Sequence, residues 1–120
     1  MRKIKRIDLA NQWRIQEKKI LPKILKVLRS GNYILDTNVK KLEEKLAKFC
    51  NRKFCITTNS GTDALTLGLH LCGIKKGDEV ITQSNSFVAS TASIVHIGAK
   101  PIFVDVNEDG QINVHKIKKK

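Results

Sequence analysis

The sequence predicts an α/β fold in which a parallel sheet follows a helical N-terminal segment. Three short stretches rich in β-branched and apolar residues, at 54–58, 79–82 and 101–106, have the composition of buried strands. Between them lie two segments with helical character, at 61–71 and 87–97. Strands joined by helical crossovers pair in parallel with right-handed connections, so two crossovers within about fifty residues predict an open parallel sheet.

The N-terminal part of the chain has the pattern of a helix. Apolar side chains recur at helical spacing between residues 9 and 29. Pro22 lies inside this window and predicts a break, or the first turn of a second helix. Gly31 follows the last periodic residue and is suited to a left-handed C-cap.

A further helix is predicted at 39–49, where leucines and a phenylalanine share one face. Asp36 or Thr37 can cap its N-terminus. We therefore predict two parts of the chain, a helical arm at 1–50 and the start of an incomplete α/β domain at 51–120.

The composition, with 41% hydrophobic and 28% charged residues, is that of a globular protein. No apolar run approaches the roughly 18 residues of a membrane-spanning helix, and no apolar signal segment follows the basic start. We therefore expect a cytoplasmic protein without a membrane partner. Three cysteines without a CxxC pair, and three histidines without ligand spacing, predict neither a disulfide framework nor a metal site.

The net charge of +12 raises the question of a nucleic-acid partner. The excess is dominated by lysine, lies along the early helices and at both ends, and has no aromatic residues between the charges. Solvated helix faces account for it better, so no nucleic-acid partner is expected. A non-catalytic basic module that binds polyanions is kept as an alternative.

The run Ser60-Gly61-Thr62-Asp63 is the first candidate site, because it joins a predicted strand directly to a predicted helix. In open parallel sheets, ligands bind beyond the carboxyl ends of the strands. Gly61 permits close approach of a ligand, and the free N–H groups and dipole of a helix start attract an anion. Ser60 and Thr62 add hydroxyls, whereas Asp63 is expected to point away from a phosphate and to favour the helix dipole. An ordinary N-cap at Ser60 explains the same pattern equally well.

Phe87 is the second candidate, at the end of the next predicted strand. An aromatic ring there can lie against a flat heteroaromatic ligand, although a core position is the alternative. A phosphate turn and an aromatic ring on neighbouring βα units together suit a small phosphorylated ring. Asp105, at the third strand end, is interpreted as the cap of the following turn. The phosphate turn is not a GxxxxGK[ST] loop, and the absence of a GxGxxG fingerprint disfavours a nicotinamide dehydrogenase.

Six ordered stretches carry a resemblance to a known family; they lie at 31–35, 42–47, 60–65, 77–81, 86–90 and 98–105. In this order and spacing the chain closely resembles the DegT/DnrJ family, pyridoxal-phosphate-dependent aminotransferases that act on nucleotide-linked keto sugars. The resemblance covers nearly the whole chain. Asp36 and Gln83 depart from it, because the family commonly has Gly and Pro at these positions.

The resemblance implies the aspartate-aminotransferase-like fold (fold type I), of which this chain is the N-terminal part of the large domain behind a helical arm. It implies pyridoxal 5'-phosphate as cofactor, with Ser60, Gly61, Thr62 and Asp63 holding the phosphate and Phe87 stacking on the ring. It further implies a nucleotide-sugar substrate, glutamate as amino donor, a homodimer, and a role in cell-surface polysaccharide or amino-sugar synthesis.

No lysine of this chain matches the family's Schiff-base lysine, which lies beyond the equivalent of Lys120. We therefore expect a fragment that is inactive by itself, and no catalytic residue is assigned. A sugar dehydratase of the same fold and cofactor, which replaces that lysine, is an alternative.

Overall fold

The structure is a computed structural model that describes residues 5–117. The chain divides into two compact units, Met1–Cys55 and Ile56–Lys120. The division into a helical arm at 1–50 and an α/β domain at 51–120 stays a prediction. Between residues 5 and 117, no helix combines the length and apolar character that crossing a bilayer requires.

The first unit begins with helix α1, Leu9–Ser30. Its first turn is capped by the carboxylate of Asp8, which accepts a hydrogen bond from the backbone N–H of Asn11 at 3.2 Å. The helix ends at Gly31, whose φ of 71° is left-handed and whose N–H donates to the carbonyl of Leu28. The predicted glycine C-cap is therefore confirmed.

The predicted interruption at Pro22 is wrong, because α1 continues through this residue. A proline inside a helix removes one N–H donor and crowds the carbonyl four residues earlier. These local costs do not end the helix here, since the apolar spacing on which the helix depends continues on both sides of Pro22.

Helix α2, Thr37–Phe49, has Asp36, one of the two predicted cap residues, at its N-cap position, but the Asp36 side chain makes no capping hydrogen bond. The Asp36 carbonyl accepts from the N–H of Val39 at 2.9 Å. Hydrogen bonding to the backbone N–H of Thr37 holds the pKa of the Asp36 carboxyl below its ordinary value. Asp36 has an extended backbone with a φ of −75°, so this position does not need the glycine that is common in the family.

As far as residue 117, the second unit contains a two-stranded parallel sheet and three helices. Strands β1, Glu79–Gln83, and β2, Lys100–Val104, pair in parallel with Ile81 opposite Ile102, which confirms the second of the two predicted crossovers. The helices are α3, Gly61–Leu71; α4, Val88–His96; and α5, Val114–Ile117.

Helix α4 lies at the centre of this unit and packs against α3 and against both strands. The buried residues of α4, of β2 and of the turn between them are mostly small: Ala89, Ser93, Ile94, Ala99 and Val104. Side chains alternate between the two faces of a sheet, so the register places Ile81 and Phe103 on opposite faces. Both are exposed, at 41% and 47%, which leaves apolar area on each face of a sheet type that is normally covered on both.

The strand predicted at 54–58 is wrong for the part of the chain that the structure describes, where these residues pair with neither β1 nor β2. Phe54 and Ile56 are 75% and 81% exposed. The composition suits a buried strand, but a strand also needs a neighbouring strand for its backbone hydrogen bonds. Between residues 5 and 117, no such neighbour is available to it.

Candidate functional site

The start of helix α3 holds four of the five predicted site residues. Ser60 is the N-cap, with an extended backbone at φ −153° and ψ 159°. Its hydroxyl oxygen accepts a hydrogen bond from the backbone N–H of Asp63 at 3.1 Å. Its carbonyl accepts from the N–H of Ala64 at 3.1 Å and from the hydroxyl of Thr58 at 2.9 Å. The residues before the helix therefore order its first turn.

The carboxylate of Asp63 turns back onto the same cap. Its Oδ2 atom lies 3.0 Å from the Ser60 hydroxyl, which donates to it. The N-cap hydroxyl and the third helical residue thus hold each other through two hydrogen bonds. The capping role that the sequence offered as an alternative for Ser60 is present in the structure.

The backbone N–H groups of Gly61 and Thr62 find no hydrogen-bond partner among residues 5–117. The first N–H groups of a helix have no partner within the helix itself. Because those of Asp63 and Ala64 are already bonded, Gly61 and Thr62 supply the donors that remain for a ligand. The partial positive charge of the helix start makes an anion the favoured ligand.

Gly61 is not required by the conformation or the packing of the chain. Its φ lies outside the left-handed region, and a Cβ atom built on it meets no heavy atom within 4 Å. An alanine would therefore fit the chain as it stands. Close approach of a ligand to this backbone supplies a reason for the glycine that the protein atoms do not.

Phe87, the fifth predicted site residue, lies at the start of the neighbouring helix. It is the N-cap residue of α4, and it is 77% exposed. The alternative prediction, that Phe87 lies in the core, is therefore wrong. The ring is a large apolar surface that only a ligand or further protein can cover.

Ser93, which was not among the residues predicted from the sequence, lies between the two predicted sites. Ser93 lies on α4, is fully buried, and places its hydroxyl oxygen 3.2 Å from the carbonyl oxygen of Thr62 in the first turn of α3. The same hydroxyl lies 2.6 Å from the carbonyl of Ala89 within α4. The available signal was weak, since a serine within an apolar helix is also compatible with an exposed position.

The carboxylate of Asp105, beyond the end of β2, bonds to two nearby residues. One carboxylate oxygen accepts from the adjacent N–H of Val106 at 2.9 Å, and the other lies 2.7 Å from the Nζ atom of Lys116. Among residues 5–117, neither oxygen bonds to the turn at 107–110 that Asp105 was predicted to cap. Hydrogen bonding from Lys116, above all, holds the pKa of the Asp105 carboxyl below its ordinary value of 3.8. Asp105 therefore joins the sheet end to α5.

A cavity of about 720 Å³ lies elsewhere, within the first unit. It is lined by the end of α1 and the start of α2, and it contains none of the predicted site residues. Its walls combine apolar side chains with three lysines, and nothing in its geometry selects a ligand. Within residues 5–117, no group of three or more His, Cys, Asp or Glu side chains is placed to hold a metal ion.

Comparison with known proteins shows that residues 14–120 match the DegT/DnrJ/EryC1/StrS aminotransferase family. The chain belongs to this family. Members of the DegT/DnrJ family are pyridoxal-phosphate dependent, which agrees with the cofactor expected from the sequence.

One similar protein is the UDP-2-acetamido-2-deoxy-3-oxo-D-glucuronate aminotransferase of Pseudomonas aeruginosa. It is 44% identical over 101 residues, which are 84% of this chain and 28% of that protein. The chain thus spans little more than a quarter of this curated relative. The relative's name describes amino transfer to a nucleotide-linked keto sugar, the reaction class that the resemblance implied.

Solved structures of the family match the fold of the chain. The crystal structure of DesV from S. venezuelae, in complex with a ketimine intermediate, superposes with a TM-score of 0.92 at 31% identity; the match covers 99% of this chain and 32% of DesV. The structure of NtdA from Bacillus subtilis, with bound cofactor PMP, gives a TM-score of 0.78 at 31% identity over 88% of this chain and 25% of that one. The predicted fold, the N-terminal part of a fold-type-I transferase, is confirmed.

The residues on α3 and α4 fit a phosphorylated aromatic cofactor. The helix start of α3 presents two N–H donors without protein partners and open space above Gly61. The start of α4 presents the exposed ring of Phe87. The start of α3 suits the phosphate of such a cofactor, and the ring of Phe87 suits its flat aromatic ring.

Proposed function

We propose that this chain supplies the phosphate-binding and ring-stacking residues of a pyridoxal-phosphate-dependent sugar aminotransferase. The enzyme transfers an amino group, from glutamate, to a nucleotide-linked keto sugar in the synthesis of cell-surface polysaccharide or amino sugars. The observation that carries the proposal is the helix start of α3, where the N–H groups of Gly61 and Thr62 lack protein partners beside an open glycine.

In this proposal the first turn of α3 holds the cofactor phosphate. The N–H groups of Gly61 and Thr62 donate to phosphate oxygens, and the hydroxyl of Thr62 adds a further donor. The partial positive charge at the helix start lowers the free energy of the bound anion, by about 0.3–1 kcal/mol at an exposed helix end. Ser60 and Asp63 act through their mutual hydrogen bonds, which order the turn and direct the Asp63 carboxylate toward Ser60.

Phe87 lies against the face of the pyridine ring and covers it from water. Such ring contacts contribute about 0.5–1.5 kcal/mol beyond the burial of apolar area. The exposed position of Phe87 at the start of α4 leaves its ring available for this contact.

The cofactor, when bound, supplies the group that carries the amino function between the two substrates and delocalises electrons during the transfer. The residues named here bind and orient it. We assign the covalent and proton-transfer steps to none of them, and we expect the chain to have no turnover by itself.

The homodimer and the cytoplasmic location stay predictions from the sequence. The exposed apolar side chains support burial by further protein, because both sheet faces and the segment around Leu35, which is 89% exposed, present apolar surface. The remainder of a longer enzyme, or a partner subunit, would cover such surface.

The proposal is tested by titrating the chain with pyridoxamine 5'-phosphate, pyridoxamine and O-phosphoethanolamine, and following binding by calorimetry at about physiological ionic strength. Pyridoxamine 5'-phosphate has an amine in place of the aldehyde, so it does not bond to the many surface lysines. Pyridoxamine lacks the phosphate and O-phosphoethanolamine lacks the ring, which separates the two contributions from the effect of the +12 net charge.

We expect pyridoxamine 5'-phosphate to bind at least about tenfold more tightly than either control ligand, equivalent to 1.4 kcal/mol. Equal affinities for all three ligands would overturn the proposed site. The substrate class is tested separately, by mass spectrometry of the product that the enzyme containing this chain forms from a UDP-linked 3-keto sugar and glutamate. Absence of the amino sugar, with the cofactor bound, would exclude that substrate class.

A further inference from the structure

The buried hydroxyl of Ser93 joins the two helices that carry the proposed cofactor contacts. Ser93 has no exposed surface, and its Oγ atom lies 3.2 Å from the carbonyl oxygen of Thr62 although 31 residues separate the two in sequence. Its single hydroxyl proton is shared between this carbonyl and the carbonyl of Ala89, which lies 2.6 Å from the same Oγ atom, so the α4 backbone holds the side chain in place. The contact is therefore a tertiary one, made by a side chain with little freedom to move.

The peptide group between Thr62 and Asp63 is held at both ends. Its carbonyl oxygen lies within hydrogen-bond distance of the hydroxyls of Ser93, at 3.2 Å, and Thr66, at 2.9 Å. Its N–H group donates to the hydroxyl of Ser60 at 3.1 Å. A peptide group is planar, so these contacts set the orientation of the whole plane.

This plane directly follows the two N–H groups that have no protein partner. The N–H groups of Gly61 and Thr62 belong to the two preceding peptide planes, and their directions depend on the orientation of the next plane along the turn. The bond from Thr66 arises within α3, whereas the bond from Ser93 comes from α4. The Ser93 bond therefore adds to the packing of the two helices a directional contact at the first turn of α3, which the Thr66 bond does not.

The same helix carries Phe87. Phe87 precedes Ser93 by six residues, which corresponds to about 9 Å along the axis of α4. The Ser93 contact therefore sets the position of the phosphate turn relative to the helix that begins with the stacking ring. That relationship matters only for a ligand that contacts both sites at once.

We propose that Ser93 is a positioning residue, which orients the Gly61 and Thr62 N–H groups toward the cofactor phosphate and fixes their distance from Phe87. This inference rests on the proposed function. Ser93 itself does not touch the cofactor; it acts through the carbonyl of Thr62.

The test replaces Ser93 by alanine, which removes the hydroxyl and adds no atom to a site without free space. Thr66→Val is the matched control, because it removes the other hydroxyl from the same carbonyl with almost no change of shape, and its bond lies within α3. For each chain, the ratio of pyridoxamine to pyridoxamine 5'-phosphate dissociation constants measures the preference for the phosphate. Thermal unfolding by circular dichroism measures stability separately.

We expect Ser93→Ala to lower this phosphate preference about three- to tenfold, the range of one hydrogen bond, and Thr66→Val to lower it less than about twofold. A second readout needs no ligand: the exchange of the Asp63 N–H with solvent deuterium should accelerate several-fold in Ser93→Ala relative to other α3 amides. A general loss of stability would instead accelerate exchange throughout α3 and α4.

The positioning role is overturned if Ser93→Ala keeps both the phosphate preference and the Asp63 exchange rate of the parent chain. It is also overturned if Thr66→Val lowers the phosphate preference as much as Ser93→Ala does, because the contact between the helices would then matter no more than a bond within α3. If the parent chain shows no phosphate preference while Ser93→Ala still accelerates Asp63 exchange, the proposed cofactor site fails and the contact is structural only.

Discussion

The hydroxyl of Ser60 forms hydrogen bonds with both the backbone N–H and the carboxylate of Asp63 at the start of α3. Ser60 Oγ accepts from the Asp63 N–H at 3.1 Å, and it donates to the Asp63 carboxylate at 3.0 Å. The pair uses the N–H group of Asp63, whereas the N–H groups of Gly61 and Thr62 at the same helix start have no hydrogen-bond partner among residues 5–117. The geometry of the proposed phosphate site therefore depends on an N-cap that is itself a stability element.

Ser60→Ala should lower the free energy of unfolding by about 1 kcal/mol, because the backbone N–H of Asp63 loses the hydroxyl to which it donates. The same change should weaken binding of pyridoxamine 5'-phosphate, since the turn loses its order. Urea unfolding and calorimetry measure the two effects. Ser60→Asn is the control, because asparagine is an equally good N-cap; equal destabilisation by both variants would contradict the capping role.

Gly61→Ala should separate stability from binding. A Cβ atom at this position meets nothing within 4 Å and the φ is not left-handed, so the chain should be as stable as before, or more stable by up to about 1 kcal/mol. Binding of pyridoxamine 5'-phosphate should weaken, because the new methyl group occupies the space above the turn.

Gly68→Ala is the matched control for this change. Gly68 lies inside the same helix, and a Cβ atom on it also meets nothing within 4 Å, so the variant should gain about 0.8–1 kcal/mol of stability. Its affinity for pyridoxamine 5'-phosphate should not change. An equal loss of binding in both variants would show that the effect of Gly61→Ala is not local to the turn.

Phe87→Ala should change the affinity for the ring and leave the fold almost unchanged. The side chain is 77% exposed, so little packing is lost and the free energy of unfolding should change by less than about 0.5 kcal/mol. Loss of the stacking contact should weaken pyridoxamine binding by about 2- to 12-fold. Phe54→Ala removes another exposed phenylalanine, at 75%, and should leave the affinity unchanged; a parallel loss would indicate a non-specific apolar effect.

Asp105 should make the stability of the chain depend on pH in acid. The pKa of its carboxyl is lowered in the folded state, chiefly by hydrogen bonding from Lys116, so its contribution is fully present above the unfolded value of 3.8. That contribution is lost as the pH falls through the lower folded-state pKa. Asp105→Asn should therefore lower the Tm at pH 7 and approach the parent chain at the acid end of a series from pH 7 to pH 2.

Lys116→Gln should reproduce this pattern, because it removes the partner from the same ion pair at 2.7 Å. The effect should be small, since both side chains are more than half exposed. Tm curves of parent and variant that stay parallel down to pH 2 would show that Asp105 does not contribute through its charge.

The sequence alone was sufficient to predict the elements that depend on neighbouring residues. The bounds of α3, its N-cap Ser60 and the left-handed Gly31 follow from side chains and backbone groups within about four residues of each other. The parallel pairing of β1 and β2 follows from the length of the crossover that joins them. The family, and with it the expected cofactor, follows from the order of short motifs.

Tertiary structure decided what depends on distant residues. Pro22 lies within a continuous helix, the stretch at 54–58 has no strand partner among residues 5–117, and Ser93 contacts Thr62 across 31 residues. A residue's own propensity does not report which backbone groups or side chains are available to it in space. The sequence therefore identified Ser60, Gly61, Thr62, Asp63 and Phe87 as candidates, and only packing of α3 against α4 placed a buried hydroxyl between them.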